Sequence, residues 1–334
     1  MCKRILASQT NTEEGVPFYK IGTIGNAPDA YISKELFDDY KTKYNYPHKG
    51  EVMITCAGTV GKCVIYDGKD AYYQDSNIVW IDNPSQCISN SFLYHLLAIV
   101  DWRKLNSTTI IRIYNDDLRN LKLSYPQIEE QQKISRLLSL LDERIATQNK
   151  IIDKLQSLIK GIGKQLFMDN QNWRTVKIGE LLRIGNGKDY KHLSIGKIPV
   201  YGTGGQMLLV NDYLYDGESV CIGRKGTIDT PMFLKGKFWT VDTLFYTYDF
   251  KDVLPKFCYY LFLQINWKLY NEGTGVPSLS KSTIENIKVK IPSLEQQKKI
   301  CSILDCYEHK TNNEEQILEL YHSEKQYLLR QMFI

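Results

Sequence analysis

Nine residues, Pro126-Gln-Ile-Glu-Glu-Gln-Gln-Lys-Ile134, return 166 positions later as Pro292-Ser-Leu-Glu-Gln-Gln-Lys-Lys-Ile300, and each copy opens a long run free of proline. From Ile134 the positions Leu138, Leu141, Ile145, Gln148, Ile152, Leu155, Ile159, Ile162 and Leu166 alternate steps of four and three, all apolar except Gln148. That is the heptad seam of a long helix. The proline suits a first helical turn, and Glu129 and Glu130 stand where the helix dipole favours acids. A helix of this length reaches roughly 60 Å at about 1.5 Å per residue. Carried forward by the same shift, the seam falls on Ile300, Leu304, Tyr307, Thr311, Glu314, Leu318, Tyr321, Lys325, Leu328 and Met332, weaker but in phase. Each apolar stripe is narrow. Two such helices are expected to zip together antiparallel and leave surface for a partner helix. The alternative, a helical hairpin inside one globular domain, fits poorly because the segments between the helices are long enough to be domains. Gln148 either fixes register or faces solvent.

The repeat extends beyond the helices. Pro17-Phe-Tyr-Lys-Ile-Gly22 resembles Pro199-Val-Tyr-Gly-Thr-Gly204, and Gly50-Glu-Val-Met-Ile-Thr-Cys-Ala-Gly58-Thr-Val resembles Gly217-Glu-Ser-Val-Cys-Ile-Gly-Arg-Lys-Gly226-Thr-Ile. Asp75 matches Asp242, and Phe92-Leu-Tyr-His-Leu with Trp102 matches Phe257-Cys-Tyr-Tyr-Leu with Trp267. Runs such as Val52–Thr55, Asn77–Ile81, Ser219–Ile222 and Thr243–Tyr248 read as short strands, with glycine and proline marking turns. Phe92 to about Leu105 and Lys256 to about Tyr270 read as one amphipathic helix each. The expected architecture is α+β: a mixed domain over 1–125, a long helix over 126–168, a second mixed domain over 169–291, and a long helix over 292–334. One asymmetry stands out. The second domain opens with Trp173-Arg-Thr-Val-Lys-Ile-Gly-Glu-Leu-Leu182, a lead-in without a counterpart in the first. If the full copy is the rule, the N-terminal edge of the first domain is incomplete.

At 334 residues the chain has room for two cores. There is no apolar run long enough to cross a bilayer and no N-terminal signal pattern, so a cytoplasmic protein is expected. The eight cysteines show no C-x-x-C pair and the histidines no paired spacing, which argues for reduced, mostly buried thiols and against a zinc site or a disulfide framework. The net charge is only +4, and 169–291 leans most basic, with 16 cations against 12 acids. A local patch matters more for nucleic-acid binding than that sum.

With two variable units, two helical openings at Pro126 and Pro292, and Gly-Thr-Val/Ile turns at Gly58 and Gly226, nearly the whole chain resembles the specificity subunit of type I restriction-modification systems. Each motif alone is weakly specific, and their order carries the match. The resemblance implies two target-recognition domains separated by two antiparallel coiled-coil helices in pseudo-twofold arrangement. It implies that the chain catalyses nothing itself. Each domain would read half of a split double-stranded DNA target, and the helices would act as a ruler and dock methyltransferase subunits. A restriction and translocation subunit would join the complex, unless the system serves methylation alone. S-adenosylmethionine and adenine methylation would belong to the partner, with no cofactor in this chain.

DNA contacts should come from cationic and polar loops, phosphate contacts setting position and base contacts setting sequence. The sharpest candidate is Gly223-Arg224-Lys225-Gly226-Thr227, two adjacent cations on a turn between strand-like runs, whose bland alternative is a solvated hairpin tip. Its first-domain counterpart, Cys56–Lys62, offers Thr59 and the later cation Lys62. A second candidate is Gly185–His192, with Lys188, Tyr190 and Lys191. A third is Asn271–Lys281, with Thr274, Ser278 and Lys281, aligned with Asn106–Tyr114, where Thr108, Thr109, Arg112 and Tyr114 fall. Small and hydroxyl residues there allow close approach to a phosphate, and they also make ordinary loops and caps. Most of the 23 tyrosines are read as core rather than as base-stacking platforms.

Two other function classes fit the sequence less well. A fused restriction-methylation enzyme would carry a glycine-rich cofactor loop and an Asn/Asp-Pro-Pro-Tyr/Phe motif, and Asn83-Pro84-Ser85-Gln86 fails at both later positions. No G-x-x-x-x-G-K-[ST] phosphate loop is present at Gly61-Lys62 or Gly196-Lys197. A coiled-coil adaptor that binds only protein would explain the helices but not two repeated globular units with differing loops.

Overall fold

The computed structural model describes residues 1–74, 77–104, 112–168 and 172–332. Asp75, Leu105, Asn106, Thr108 and Thr109 lie outside the described residues. The chain divides into two compact units, Met1–Asn149 with Ile317–Ile334, and Lys150–Gln316. The division falls inside the two long helices, so each unit owns part of both.

The first unit holds β1 (Val16–Tyr19), β2 (Tyr31–Ile32), α1 (Lys34–Lys43), β3 (Val52–Thr55), β4 (Cys63–Ile65), β5 (Tyr72–Tyr73), β6 (Ile78–Ile81), α2 (Asn90–Ala98), α3 (Asn115–Arg119) and the start of α4 (Ile128–Met168). Two three-stranded sheets form, ordered β2-β1-β5 and β4-β3-β6. One core gathers Phe37, Met53, Tyr72 and Tyr73, and a second gathers Val52, Ile54, Leu93, Leu97 and Trp102. The apolar run Val52–Ile54 is buried along its whole length because β3 feeds both cores.

The second unit follows with β7 (Arg174–Lys177), α5 (Ile178–Leu181), β8 (Arg183–Asn186), β9 (Ile195–Gly202), β10 (Gly205–Val210), β11 (Tyr215–Gly223), β12 (Met232–Thr240), β13 (Leu244–Tyr248), α6 (Pro255–Gln264), α7 (Lys281–Asn286), β14 (Lys288–Ile291) and α8 (Leu294–Met332). A six-stranded sheet runs β10-β9-β12-β11-β13-β8, and the lead-in strand β7 pairs antiparallel with β14. In each unit the proline-led strand makes one parallel pairing: Phe18 with Tyr72 in the first, Val200 with Trp239 in the second. The next backbone bond also repeats, Gln74 N–H donating to the Tyr19 carbonyl at 2.9 Å and Val241 N–H to the Tyr201 carbonyl at 3.0 Å.

Three sequence expectations change. The helix expected from Phe92 to about Leu105 ends at Ala98, where the chain turns to bring Trp102 into the core. The one expected from Lys256 to about Tyr270 ends at Gln264, and a separate 3-10 turn (Trp267–Tyr270) buries Trp267, whose indole N–H donates to the Phe262 carbonyl at 2.9 Å. The prolines at 126 and 292 lie outside the first helical turns, since α4 begins at Ile128 and α8 at Leu294. A glutamine explains the last difference. Gln131, fully buried, donates from Nε2 to the Pro126 and Cys87 carbonyls and accepts from the Ser89 N–H, the N-cap of α2. Gln297, also fully buried, repeats all three bonds with the Pro292 and Asp252 carbonyls and the Leu254 N–H, at the start of α6. Each long helix is thereby fastened to the end of its own unit's amphipathic helix.

On α4 the seam face is the covered one: Leu138, Leu141, Ile152 and Leu155 are buried, and Ile134, Ile145 and Ile159 are half-buried. Gln148 is buried with a partner, so it does not face solvent. On α8, Ile300 and Leu304 are buried, while Tyr307, Leu318, Tyr321 and Leu328 are half-buried. In the first unit Lys325 of α8 forms an ion pair with Asp142 of α4. In the second, Gln156 Nε2 lies 3.5 Å from a Glu315 carboxylate oxygen. Among the described residues no helix is long and apolar enough to cross a membrane.

Candidate nucleic-acid interface

In the second unit the connection between β12 and β13 is the post on which the candidate loops hang. The Thr243 carbonyl accepts from Arg224 N–H at 2.8 Å, and the Thr240 carbonyl accepts from Lys188 N–H at 2.9 Å. The Trp239 indole N–H donates to the Lys188 carbonyl at 2.8 Å, and the His192 ring rests 5.7 Å from the Trp239 ring. Two separate candidates, 185–192 and 223–227, are therefore held by one five-residue stretch. Backbone bonds fix their bases, while the ends of Lys188, Lys191, Arg224 and Lys225 stay exposed. Tyr190 is half-buried against the sheet core instead.

The third candidate docks on the first. Lys225 bridges Ser278, Gly226 N–H donates to the Pro277 carbonyl at 2.8 Å, and Leu279 N–H donates to the Arg224 carbonyl at 2.9 Å. The turn is thus more than a free hairpin tip: its backbone is clamped on two sides, while Arg224 to Thr227 remain exposed. At Gly223 a Cβ would stand 2.0 Å from the Thr227 carbonyl oxygen, so only glycine lets the turn close. The 271–280 loop is stiffened from within, because Asn271 Oδ1 accepts from the N–H groups of Gly273 and Ser278, and Glu272 accepts from the Ser280 and Thr283 hydroxyls. Those two bonds hold the exposed Glu272 carboxyl below its usual range. Thr274 is exposed, Ser278 half-buried, and Lys281 is the first residue of α7, which Ser280 caps. Among the described residues Arg224 and Lys225 form no ion pair; the Arg224 guanidinium lies 6.0 Å from the Phe245 ring.

The first unit reproduces this frame. Cys56 N–H donates to the Asn77 carbonyl at 2.8 Å, as Arg224 does to Thr243, and Ile113 N–H donates to the Cys56 carbonyl at 2.9 Å, as Leu279 does to Arg224. Cys56 therefore occupies the place of Arg224, and it is buried. Burial pushes its thiol up to about 11, against the opposing charge of the nearby Arg112. Burial also pushes the Cys63 thiol up to about 12, so both thiols are protonated and inert at neutral pH. The turn that follows is tighter than its counterpart: Thr55 Oγ1 donates to the Thr59 carbonyl and accepts from Lys62 N–H. Gly61 faces the Trp102 ring so closely that a Cβ would lie 2.3 Å from it. Thr59 is exposed, Lys62 is half-buried, and the Arg112 guanidinium lies 5.9 Å from the ring of the exposed Tyr114.

Sequence reading missed three of these parts. The Thr203 hydroxyl lies beside Gly226, which adds the β9–β10 tip to the platform. Asn271 organises its loop, and Cys56 replaces Arg224 in the frame. Matching Gly58 with Gly226, a shift of 168 residues, sets Cys56 opposite Arg224 and carries the signal for the last. Among the described residues no group of three or more His, Cys, Asp or Glu side chains is placed to hold a metal ion. The arrangement offers exposed cations, hydroxyls and backbone amides on two pinned platforms, which suits polyanion binding.

The family model for the type I restriction modification DNA specificity domain matches twice, over residues 1–157 and 170–320. A protein named as a type I restriction enzyme specificity subunit of Haemophilus influenzae is 49% identical over 160 residues, 48% of this chain and 41% of that protein. One named as the MjaX specificity subunit of Methanocaldococcus jannaschii is 24% identical across 94% of this chain and 86% of its own length. Among solved structures, the S subunit of a type I restriction-modification system from M. genitalium aligns with all of this chain and 92% of its own, at a TM-score of 0.65 and 19% identity.

Proposed function

The chain belongs to the family of type I restriction-modification DNA specificity domains, and from that premise we propose that its two units read the two halves of one split double-stranded DNA target. The observation that carries this reading is the repeated backbone frame with unlike side chains on it: Arg224 and Lys225 in one unit, Cys56, Thr59 and Lys62 in the other. A shared frame holds both platforms at a groove in the same way. Different side chains then present different donors and acceptors to the bases. The contributing residues would be Thr59, Lys62, Arg112 and Tyr114 in the first unit, and Lys188, Tyr190, Lys191, Arg224, Lys225, Thr274, Ser278 and Lys281 in the second.

The long helices would pair antiparallel as a coiled coil related by pseudo-twofold repetition. The Asp142–Lys325 pair and the approach of Gln156 to Glu315 support that pairing, since the partner number falls as the first rises. Half-sites one duplex turn apart are separated by about 34–36 Å. A stiff helix pair of about 60 Å can fix a spacing of that order. The exposed flank of the seam, with Leu137, Leu140, Leu158 and Leu320 on the surface, would dock methyltransferase subunits, to which a restriction subunit can be added. This chain would be non-catalytic. The methyltransferases would bring S-adenosylmethionine and extrude the target adenine into their own pockets.

The test is half-site resolved. Replacing Arg224 and Lys225 by alanine, in the assembled methyltransferase complex, should weaken or relax recognition in one half of the target by tenfold or more, at about 1–3 kcal/mol per lost bidentate base contact. Equal loss in both halves would overturn the two-reader account.

A further inference from the structure

The proline-led strands β1 and β9 deliver the same position to the same turn with different side chains. Four residues beyond Pro17 and Pro199 stand Ile21 and Thr203. A Cβ on Gly58 would stand 2.6 Å from Ile21 Cδ1, and one on Gly226 would stand 3.7 Å from Thr203 Oγ1. Each side chain therefore ends beside the glycine of its own unit's Gly-Thr-Val/Ile turn. The backbone behind them is pinned alike, at the Tyr19 carbonyl by Gln74 N–H and at the Tyr201 carbonyl by Val241 N–H. Gln74 adds a second tie in the first unit, its Oε1 accepting from Ile21 N–H at 3.3 Å. There the loop also reaches a cation, since a Cβ on Gly25 would stand 3.7 Å from Lys62 Nζ. In the second unit the loop is the β9–β10 tip, where a Cβ on Gly204 or Gly205 would meet nothing within 4 Å. Ile21 and Thr203 are half-buried, while Gly58, Thr59, Gly226 and Thr227 beside them are exposed.

We propose that Ile21 and Thr203 are a matched pair of specificity residues, one for each half of the target, that read base edges by opposite chemistry. This inference rests on the two-reader function proposed above. Ile21 offers only methyl and methylene groups. It packs on the 5-methyl group of a thymine, and it leaves a cytosine amine or a guanine oxygen without a partner. Thr203 presents a hydroxyl, which donates to or accepts from a base edge. The turn glycines beside them carry no side chain, so the duplex approaches both residues closely.

The test uses the complex assembled with methyltransferase subunits and the split target that its methylation defines. Uracil replaces each thymine of the target in turn, which removes the 5-methyl group alone, and binding is measured. One thymine, in one half only, is expected to lose about fourfold in affinity, the size of one buried methyl group. With Ile21→Ala that position should bind uracil and thymine equally. Thr203→Val, which removes the hydroxyl at nearly constant volume, should relax one base position in the other half and keep the thymine response. If uracil binds like thymine throughout, or its effect persists in Ile21→Ala, the role of Ile21 is overturned; unchanged preference in Thr203→Val overturns that of Thr203. The uracil series on the unsubstituted chain decides the first point even if Ile21→Ala folds poorly. Arg224→Ala with Lys225→Ala, measured alongside, separates the two failures. Relaxation in one half there, with no response at Ile21 or Thr203, removes this pair alone, whereas equal relaxation in both halves removes the two-reader function with it.

Discussion

At the scale of single residues, the most consequential side chains are ones that touch no ligand. Gln131 and Gln297 each satisfy two carbonyls and one N–H in a fully buried position. Replacing either by leucine leaves those part-buried backbone groups without their partner, which costs on the order of 1–3 kcal/mol. Unit-resolved hydrogen exchange should show the Gln131 substitution loosening the first unit and the Gln297 substitution the second. His95 is a different case. Both ring nitrogens are buried without a well-formed hydrogen bond among the described residues, beside the Tyr94 ring at 4.8 Å and near the Ser135 backbone. Burial lowers its pKa to about 4; Asp142 and the Ser135 backbone oppose that shift and Lys325 reinforces it. The unfolded chain, with an ordinary histidine near 6.5, binds more protons between those values. Stability from a neutral His95 is therefore whole above about pH 6.5 and is lost as the pH falls toward 4. The second unit carries Tyr260 at the matching place, where its hydroxyl donates to Asp305 at 2.6 Å. His95→Tyr should flatten the acid limb of the first unit's pH–stability curve, and denaturation series at pH 7 and pH 4.5 would show it.

At the scale of elements, the long helices were legible because a 3.5-residue period sustained over ten positions has no competing explanation. Their ends were not, because the fastening glutamines draw the prolines out of the first turn, a tertiary effect that local patterning does not encode. The amphipathic helices were read too long for a related reason: Trp102 and Trp267 look helical in phase, and the chain breaks ahead of each to bury it. Strand runs were visible as apolar β-branched stretches. The joining of loops 223–227 and 271–281 was not, since only the fold brings Lys225 to Ser278. In the first unit the Asp142 and Lys325 side chains are 30% and 21% exposed, so their pairing is worth little in water, at most about 1 kcal/mol. Lys325→Glu should loosen α8 against α4, and the exchanged pair Asp142→Lys with Lys325→Glu should restore it, with a coupling of roughly 0.5–1 kcal/mol in a double-mutant cycle. Leu138→Asp puts a charge at a fully buried seam position and should abolish assembly with a methyltransferase subunit, as size-exclusion chromatography of the co-expressed subunits would register.

At the scale of the whole molecule, the proposed DNA reading requires a chain of near-balanced charge to bind through local patches. Binding by the assembled complex should fall steeply with salt, in proportion to the phosphates its lysines and arginines neutralise. Removing Lys188 and Lys191 should reduce that slope by about 2 without changing the sequence preferred, if both meet phosphate. The repeat allowed two readers and a ruler to be expected from sequence. The bases read and the gap between them depend on loop geometry and DNA shape, which no spacing of residues fixes. The most direct measurement is therefore methylome sequencing of a methylation-free host that expresses this chain with its neighbouring methyltransferase subunit. The expected result is one split motif, methylated on adenine in both halves, that vanishes when this chain is omitted and changes in one half alone when Arg224 and Lys225 are replaced. An undivided motif, or methylation that persists without this chain, would contradict it.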